Sequence, residues 1–513
     1  MAEASHMTLW GEPAYTPDPA AGTLVNGAAA SFADYLPEDC RARFVERPVV
    51  CVQGLGFVGS AMAAAVAMAR DAAGQPCYNV LGVDLDSAQG HRSVEALRRG
   101  RLAFGTTDHT FREAVAGSHL RGNLSATTDP AAYGLADVIV VDVNLDLAVE
   151  GDTGEPELHL DGFRAAIATL GRWMRPGALV VVETTVPPGA CAHIVAPILA
   201  EALQARGQPA DAFLLAHSYE RVMPGKDYFE SIVRFWRVYA GHSEAAAAAC
   251  AAFLSKVIDV ERYPLRRLAS TTASETAKVL ENSYRAVTIA LMEEWGRFAE
   301  AADVDLFEVV DAIRQRPTHS NIRQPGFGVG GYCLPKDPLM ALAAAHGIFG
   351  LTDLDFPFCR LATEVNRAMP LASLAALEDL LGGTLEGKRV ALLGVSYRPD
   401  VADTRASPAL TFVQEARRRG AALVLHDPLV AAWPELSIEV SEALPEPAGL
   451  EAVVFATAHP EYREIDPEAW LKGARPAVLD ANDVLTSAQR RAFRALGCRV
   501  ASIGRGRGTA CGS

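Results

Sequence analysis

Val49-Val50-Cys51-Val52-Gln53-Gly54-Leu55-Gly56-Phe57-Val58-Gly59 is the stretch that decides the fold. Its first four residues are apolar without alternation, which suits a strand covered on both faces of a parallel sheet. The glycines that follow are spaced GxGxxG, and a helical pattern takes over at 60–70. Gly54 permits the tight turn out of the strand, Gly56 lets an anion approach the backbone, and Gly59 lets helix and strand pack closely. A second strand, Val80-Leu81-Gly82-Val83, ends on Asp84, 25 residues beyond Gly59. An acid there accepts from a ribose 2′-hydroxyl and repels a 2′-phosphate. The glycine spacing alone fits a plain βα turn equally well. With its strand, its helix and Asp84, it points to NAD rather than NADP, bound over Gly54, Leu55, Gly56, Phe57, Val58, Gly59 and Asp84.

Strand-like runs at 138–143, 178–183 and 213–216, with helical patterns between most of them, extend this into a doubly wound α/β domain. Residues 265–302 read as one continuous helix, a spine between domains. A further helical stretch at 361–381 is stopped by Gly382-Gly383 and Gly387. At Arg389-Val390-Ala391-Leu392-Leu393-Gly394 a second strand runs into a glycine turn, and the strand at 423–426 ends on Asp427 much as the earlier one ends on Asp84. The expected fold is α/β, with two Rossmann-like doubly wound domains joined by a long central helix and a helical middle domain. The boundaries fall at 1–47 (an extension), 48–262, 263–383 and 384–513. A length of 513 residues agrees, at roughly 100–200 residues per domain.

A net charge of −15 argues against a general nucleic-acid binder. Nine cysteines without CxxC or Cys/His clusters give neither a metal site nor a disulfide framework. No apolar run reaches the ~18–20 residues of a membrane span, and no export signal is visible, so a cytoplasmic protein is expected.

Several polar residues are candidates for chemistry. Cys333 closes the run Gly326-Phe327-Gly328-Val329-Gly330-Gly331-Tyr332-Cys333, with Lys336 and Asp337 one turn on. A thiol so placed is either an accessible nucleophile or an incidental cysteine. Lys278 and Asn282 are four apart and share a helix face with Arg285, which is catalytic or merely solvated. Thr185, in Glu183-Thr184-Thr185-Val186-Pro187-Pro188-Gly189, either offers a hydroxyl to the nicotinamide crevice or belongs to a loop stop. Glu220, in Glu220-Arg221-Val222-Met223-Pro224-Gly225, is a general base or a surface acid. Arg398 and Arg405 bring bidentate donors to the second glycine turn, for a diphosphate or for surface ion pairs.

Taken in order, GLGFVG (54–59), ETTVPPG (183–189), ERVMPG (220–225), SETAKVLENSYRA (274–286), GFGVGGYCLPKD (326–337), SYRPDVADTRASP (396–408) and the closing Ser502-Ile503-Gly504-Arg505-Gly506 resemble the nucleotide-sugar (UDP-glucose/GDP-mannose) dehydrogenase family over about 48–507. The resemblance implies an NAD domain, a helical middle that makes a homodimer, and a C-terminal domain that binds the nucleotide of a UDP-sugar. It implies oxidation of a sugar C6 hydroxyl to a carboxylate with two NAD⁺. Cys333 would be the nucleophile, passing through a thiohemiacetal and a thioester. Lys278 and Asn282 would stabilise the oxyanion, Asp337 and Glu220 would handle water, and Thr185 would steady water and nicotinamide. Val143 and Arg405 would touch the cofactor. Arg221, Val222, Met223, Phe327, Gly328, Gly330, Tyr397 and Arg398 would hold the substrate. No metal, nucleic acid or membrane is involved. Two departures stand out. Val143-Asn144-Leu145-Asp146 replaces the family's VPTP-like turn, and Pro224 stands where glucose-oxidising members carry a second Glu. The second is more similar to the branch that oxidises N-acetylated amino sugars. GDP-mannose 6-dehydrogenation, a single-hydride hydroxyacid dehydrogenase and a silent NAD-binding protein are the alternatives.

Overall fold

The run that opens the sequence argument forms β1 (Val49–Gln53), with every residue buried. The computed structural model describes residues 31–150, 155–221, 225 and 227–506. In chain order β1 is followed by β2 (Asn79–Val83), β3 (Leu124–Thr127), β4 (Val138–Val141), β5 (Asp146–Glu150), β6 (Glu155–His159), β7 (Leu179–Val182), β8 (Leu214–His217), β9 (Val238–Gly241) and β10 (Arg266–Arg267). Eight of these make one sheet in the order β10-β9-β8-β7-β4-β1-β2-β3, and β5 and β6 form a separate antiparallel ribbon. Only the β8–β9 pairing in the large sheet is antiparallel. The chain leaves β1 toward β2 on one side and later returns to β4 on the other. The carboxyl ends of β1 and β4 therefore flank a crevice, which is where open α/β sheets bind ligands.

The second sheet contains β11 (Arg389–Leu393), β12 (Ala422–His426), β15 (Ala452–Phe455), β16 (Ala477–Asp480) and β17 (Val500–Ser502). Between β12 and β15 lies a short antiparallel pair, β13 (Ala432–Trp433) and β14 (Ile438–Glu439). The sheet order is β12-β11-β15-β16-β17, all parallel. Its period-two side-chain alternation feeds two cores. Val390, Leu392, Ala452 and Val454 pack on one face, and Ala391, Leu393, Val453 and Phe455 on the other. The expected α/β fold with two doubly wound domains holds, although the two sheets differ in strand order.

The chain divides into two compact units, one of residues up to Val279 with Met340–Asp355, the other of Leu280–Leu339 with the residues from Phe356 onward. The boundary falls within the long helix, Thr271–Ala302. That helix starts later than its sequence pattern suggests. Arg266 and Arg267 instead pair with Val238 and Tyr239 as an edge strand, and the Ser270 hydroxyl caps the helix by accepting from the Ala273 N–H. The following long helix, Pro357–Leu381, ends at Gly382 in the left-handed conformation, as its glycines require.

Regular structure also begins earlier than expected. A 3₁₀ turn (Phe32–Tyr35) and a helical turn (Glu38–Arg41) precede β1 and bury Phe32, Tyr35, Leu36 and Cys40. The Tyr35 hydroxyl donates to Asp129 at 3.0 Å, and its carbonyl accepts from Ser125 at 2.6 Å. Residues 31–47 are thus part of the first unit's packing. Two single turns carry too few apolar positions to show a period. Among the described residues no helix is long and apolar enough to cross a membrane.

Candidate active site

Three glycines of the first turn have three distinct environments. Gly54 has φ +91°, and a Cβ there would lie 2.6 Å from the Asp142 carbonyl oxygen. A Cβ on Gly59 would lie 1.9 Å from the Gly54 oxygen. Both positions are closed to any side chain. Gly56 is exposed, and a Cβ on it would meet nothing within 4 Å. Open space over Gly56 is what a pyrophosphate needs to reach the backbone. Asp84 accepts from the Leu55 N–H at 3.2 Å and the Leu85 N–H at 2.8 Å, which ties the turn to the end of β2 and leaves lone pairs available. These residues fit NAD. Leu55 contributes only its backbone, because its side chain is buried over Gly82. Phe57 lies against Phe104, ring centroids 4.1 Å apart.

Beside the turn, parallel register sets Val141 of β4 opposite Val182 of β7, so Asp142 and Glu183 leave adjacent strand ends together. All four of their carboxyl oxygens are buried. Burial, then the neighbouring Glu183, holds the Asp142 carboxyl well above the usual carboxylate range. Burial also raises Glu183, but its ion pair with the buried Arg237 opposes this. Asp142 is accordingly the protonated partner, donating to a Glu183 carboxylate that Arg237 neutralises. In place of the missing VPTP-like turn, the Thr184 hydroxyl donates to the Val143 carbonyl at 2.8 Å, and Leu145 is buried. Thr185 follows, half-buried.

The opening turns of the long helix organise three loops of the same unit. Ser274 Oγ lies 2.8 Å from His217 Nδ1 at the end of β8. Glu275, fully buried, accepts from the N–H groups of Gly189 (2.6 Å) and Cys191 (2.7 Å), fixing the Pro187-Pro188-Gly189 loop. Lys278 donates to the Glu220 carbonyl at 2.8 Å and to Glu220 Oε1 at 3.2 Å. Lys278 and Glu220 are both buried, which removes the solvated-face and surface-acid readings for them. Burial, then Lys278, pushes the His217 imidazole down to about 3, so it stays neutral. Arg221 donates to the Tyr219 hydroxyl at 3.2 Å. Val222 and Met223 lie outside the described residues.

In the second unit, Asp337 is completely buried and opens the helix Asp337–Gly347. It accepts from Asn282 Nδ2 at 2.7 Å and Lys336 Nζ at 2.8 Å. The Lys336 ammonium also sits 4.4 Å from the Tyr332 ring centroid. Cys333, half-exposed, is one turn ahead; its carbonyl accepts from the Lys336 and Asp337 N–H groups.

The glycine run before Cys333 also serves packing. A Cβ on Gly330 would lie 2.3 Å from the Ala406 oxygen, and one on Gly331 would lie 2.8 Å from the Tyr397 ring. The glycines let this loop pack on the 396–407 loop. Phe327 is buried in the core of the second sheet against Phe412, so only its backbone can face a ligand. Gly328 has φ +101°, and Asn366 pins Val329 beside it with two 2.8 Å hydrogen bonds. Across the packed loops, burial and then Asp403 push the Tyr397 hydroxyl up, and Cys333 is among its neighbours. Arg405 is clasped by Asp403 through Nε (3.0 and 3.1 Å) and Nη2 (2.7 Å), so the expected cofactor contact competes with an ion pair already made. Arg398 is half-buried.

Sequence reasoning missed Asp142, Arg237, Ser274, Glu275 and Asn366. Of these, Glu275 carried a signal: it sits on the stripe of Lys278 and Asn282 with two apolar neighbours one turn on, a poor setting for a solvated acid.

Three family models match the chain: the UDP-glucose/GDP-mannose dehydrogenase family's NAD binding domain at 49–258, its central domain at 272–368 and its UDP binding domain at 391–487. A UDP-N-acetyl-D-mannosamine dehydrogenase of Pyrococcus horikoshii is 30% identical over 442 residues, spanning 85% of this chain and 96% of that protein. The solved structure of UDP-D-ManNAc dehydrogenase from Pyrococcus horikoshii matches with TM-score 0.74 and 26% identity over 89% of this chain and 99% of that one. A UDP-glucose dehydrogenase structure from Pyrobaculum islandicum matches with TM-score 0.73 and 26% identity, covering 89% and 96%.

Proposed function

The chain belongs to the UDP-glucose/GDP-mannose dehydrogenase family and is an NAD-dependent nucleotide-sugar dehydrogenase; from that premise we propose that it oxidises the C6 hydroxyl of a UDP-N-acetylhexosamine to the carboxylate in two steps, through Cys333. The named relatives and Pro224 in place of a second Glu both favour an N-acetylated amino sugar over glucose.

The observation that carries the covalent route is the turn holding Cys333. A half-exposed thiol stands one turn ahead of a buried carboxylate that Asn282 and Lys336 clamp from two sides. The turn at Gly54, Gly56 and Gly59 with Asp84 would hold NAD⁺, which would supply the hydride acceptor for each oxidation. The protein's own groups do the rest. The Lys278 ammonium stabilises the alkoxide formed as the C6 hydroxyl loses its proton. The Cys333 thiolate adds to the resulting aldehyde, and the new oxyanion takes a proton to give the thiohemiacetal. The second oxidation leaves a thioester. A water deprotonated by Glu220 or Asp337 attacks its carbonyl, the C–S bond breaks, and the thiolate leaves as the carboxylate forms. A single-hydride enzyme has no need of the thiol or of a UDP binding domain.

We further propose a homodimer built on the long helix. Leu280, Tyr284, Leu291, Trp295 and Phe298 are all exposed there, with spacings of four, seven, four and three that make one apolar stripe.

A panel of UDP-sugars and GDP-mannose assayed for NADH tests the reading. Two NADH per sugar are expected, with a UDP-N-acetylhexosamine preferred. Cys333→Ala should release no carboxylate. One NADH per turnover, or normal carboxylate formation by Cys333→Ala, would sink the covalent route. Trp295→Glu should run as a monomer in light scattering, and an unchanged dimer would remove the helix stripe from the interface.

A further inference from the structure

Tyr219 is a large aromatic ring only 1% exposed, yet its ring and its hydroxyl serve charged neighbours. The Lys278 ammonium lies 5.4 Å from its ring centroid. The Arg221 guanidinium carbon lies 5.5 Å from the same centroid, and Arg221 Nη2 donates to the phenol oxygen at 3.2 Å. Both distances are within the ~6 Å over which a cation is drawn to an aromatic face, a pull that strengthens when the pair is desolvated. Two cations sharing one buried neighbour would otherwise repel each other across a medium of low dielectric.

The groups facing the Lys278 ammonium come from several elements. Glu220 supplies a carbonyl and a carboxylate oxygen. His217, at the end of β8, stays neutral, and its ring centroid lies 6.1 Å from that of Tyr219. The charge of Glu220 is also felt by the Asp142–Glu183–Arg237 cluster. Tyr219 meets both Lys278 and Arg221.

We propose that Tyr219 is a positioning residue, which holds the Lys278 ammonium and the Arg221 guanidinium on one ring and so couples substrate binding to oxyanion stabilisation. This rests on the reading of Lys278 as the oxyanion partner and Arg221 as a substrate contact. Phe at this position keeps the ring and loses the bond to Arg221. Leu or Met removes the aromatic face while largely filling the space.

Steady-state kinetics across pH, with saturating NAD⁺ and the preferred UDP-sugar, separate the cases. Tyr219→Phe should raise KM for the sugar about 3- to 10-fold, in line with the net worth of one typical intramolecular hydrogen bond, with kcat within about twofold. Tyr219→Leu should lower kcat about 10-fold or more and move the alkaline limb of the rate profile to lower pH, as Lys278 loses a partner of its charged form. Tyr219→Met should behave as Leu does, and stands in for it if the Leu variant fails to fold. A ring with only a packing role would leave the alkaline limb in place in every variant, and that result overturns the proposal. Lys278→Met distinguishes the two levels. If it keeps activity, the catalytic reading has failed. If it is inactive while Tyr219→Leu and Tyr219→Met keep wild-type kcat and limb, only the Tyr219 proposal has failed.

Discussion

His217→Asn gives the sharpest electrostatic test of the NAD-binding unit. The imidazole is fully buried, Nδ1 meets Ser274, and Nε2 is buried with no hydrogen-bond partner among the described residues. Burial, then the Lys278 ammonium, lowers its pKa from 6.5 to about 3. Between those two values the folded protein binds fewer protons than the unfolded chain, so stability falls as pH drops. At pH 5 the unfolded histidine is charged and the folded one is not. The gap of roughly 1.5 pH units from the unperturbed pKa, at about 1.4 kcal/mol per unit, makes the loss between pH 7 and pH 5 about 2 kcal/mol. Asparagine can still bond to Ser274 and does not titrate. Urea denaturation of both proteins at the two pH values, read on the same transition, should show the wild type losing about 2 kcal/mol more than the variant. Equal losses would refute the argument, as would an NMR signal from protonated His217 in the folded protein at pH 5.

Gly56→Ala should melt with the wild type but bind NAD about 10- to 150-fold more weakly, the cost of about 1.5–3 kcal/mol for one charged hydrogen bond lost as the pyrophosphate is pushed off the turn. Gly59→Ala should instead lower the melting temperature of the apo-protein, because its Cβ would sit 1.9 Å from a backbone oxygen; calorimetry on both variants separates the two roles. Arg237→Leu leaves Glu183 buried without its cation and should cost about 3–5 kcal/mol in denaturant unfolding. Asp142 has a raised folded pKa, so its stabilising proton is lost, and stability falls, as pH rises from the unfolded carboxyl's range through that folded pKa; Asp142→Asn keeps a donor for Glu183 and should flatten this decline in a stability–pH profile. Gly330→Ala should destabilise the second unit by about 1–3 kcal/mol through its 2.3 Å approach to the Ala406 oxygen, visible in urea titrations.

The sequence carried the cofactor turn because its signal is local: three glycines, a strand, a helix and an acid within 36 residues. It did not carry the Asp142–Glu183–Arg237 cluster, since each member looks like an ordinary charge at the end of a strand and only register brings them together. The glycines before Cys333 were ambiguous for a related reason. A glycine required by a ligand and one required by an opposing loop look alike until the opposing loop is known, here residues 396–407. Val222 and Met223 lie outside the described residues, and their expected substrate contacts stay proposals.

The two glycine turns show how one architecture acquires two roles. Gly54 and Gly394 both have positive φ, +91° and +98°, and each donates its N–H to the last residue of the neighbouring strand. Each turn is then anchored by the acid that follows that strand. Among the described residues Asp84 accepts two N–H groups and remains partly exposed, which leaves acceptor capacity for a ribose hydroxyl. Asp427 has no exposure. Its Oδ2 takes the Val395 and Ser396 N–H groups at 2.9 Å and lies 3.2 Å from His459 Nε2, and its Oδ1 takes the Leu429 N–H at 3.0 Å. With four partners on a carboxylate that has about four acceptor sites, none is left for a ligand. The second turn is therefore closed to a ribose in the manner of the first. The acid of the second turn is spent on the fold, and Tyr397 and Arg398 follow directly from the turn it anchors.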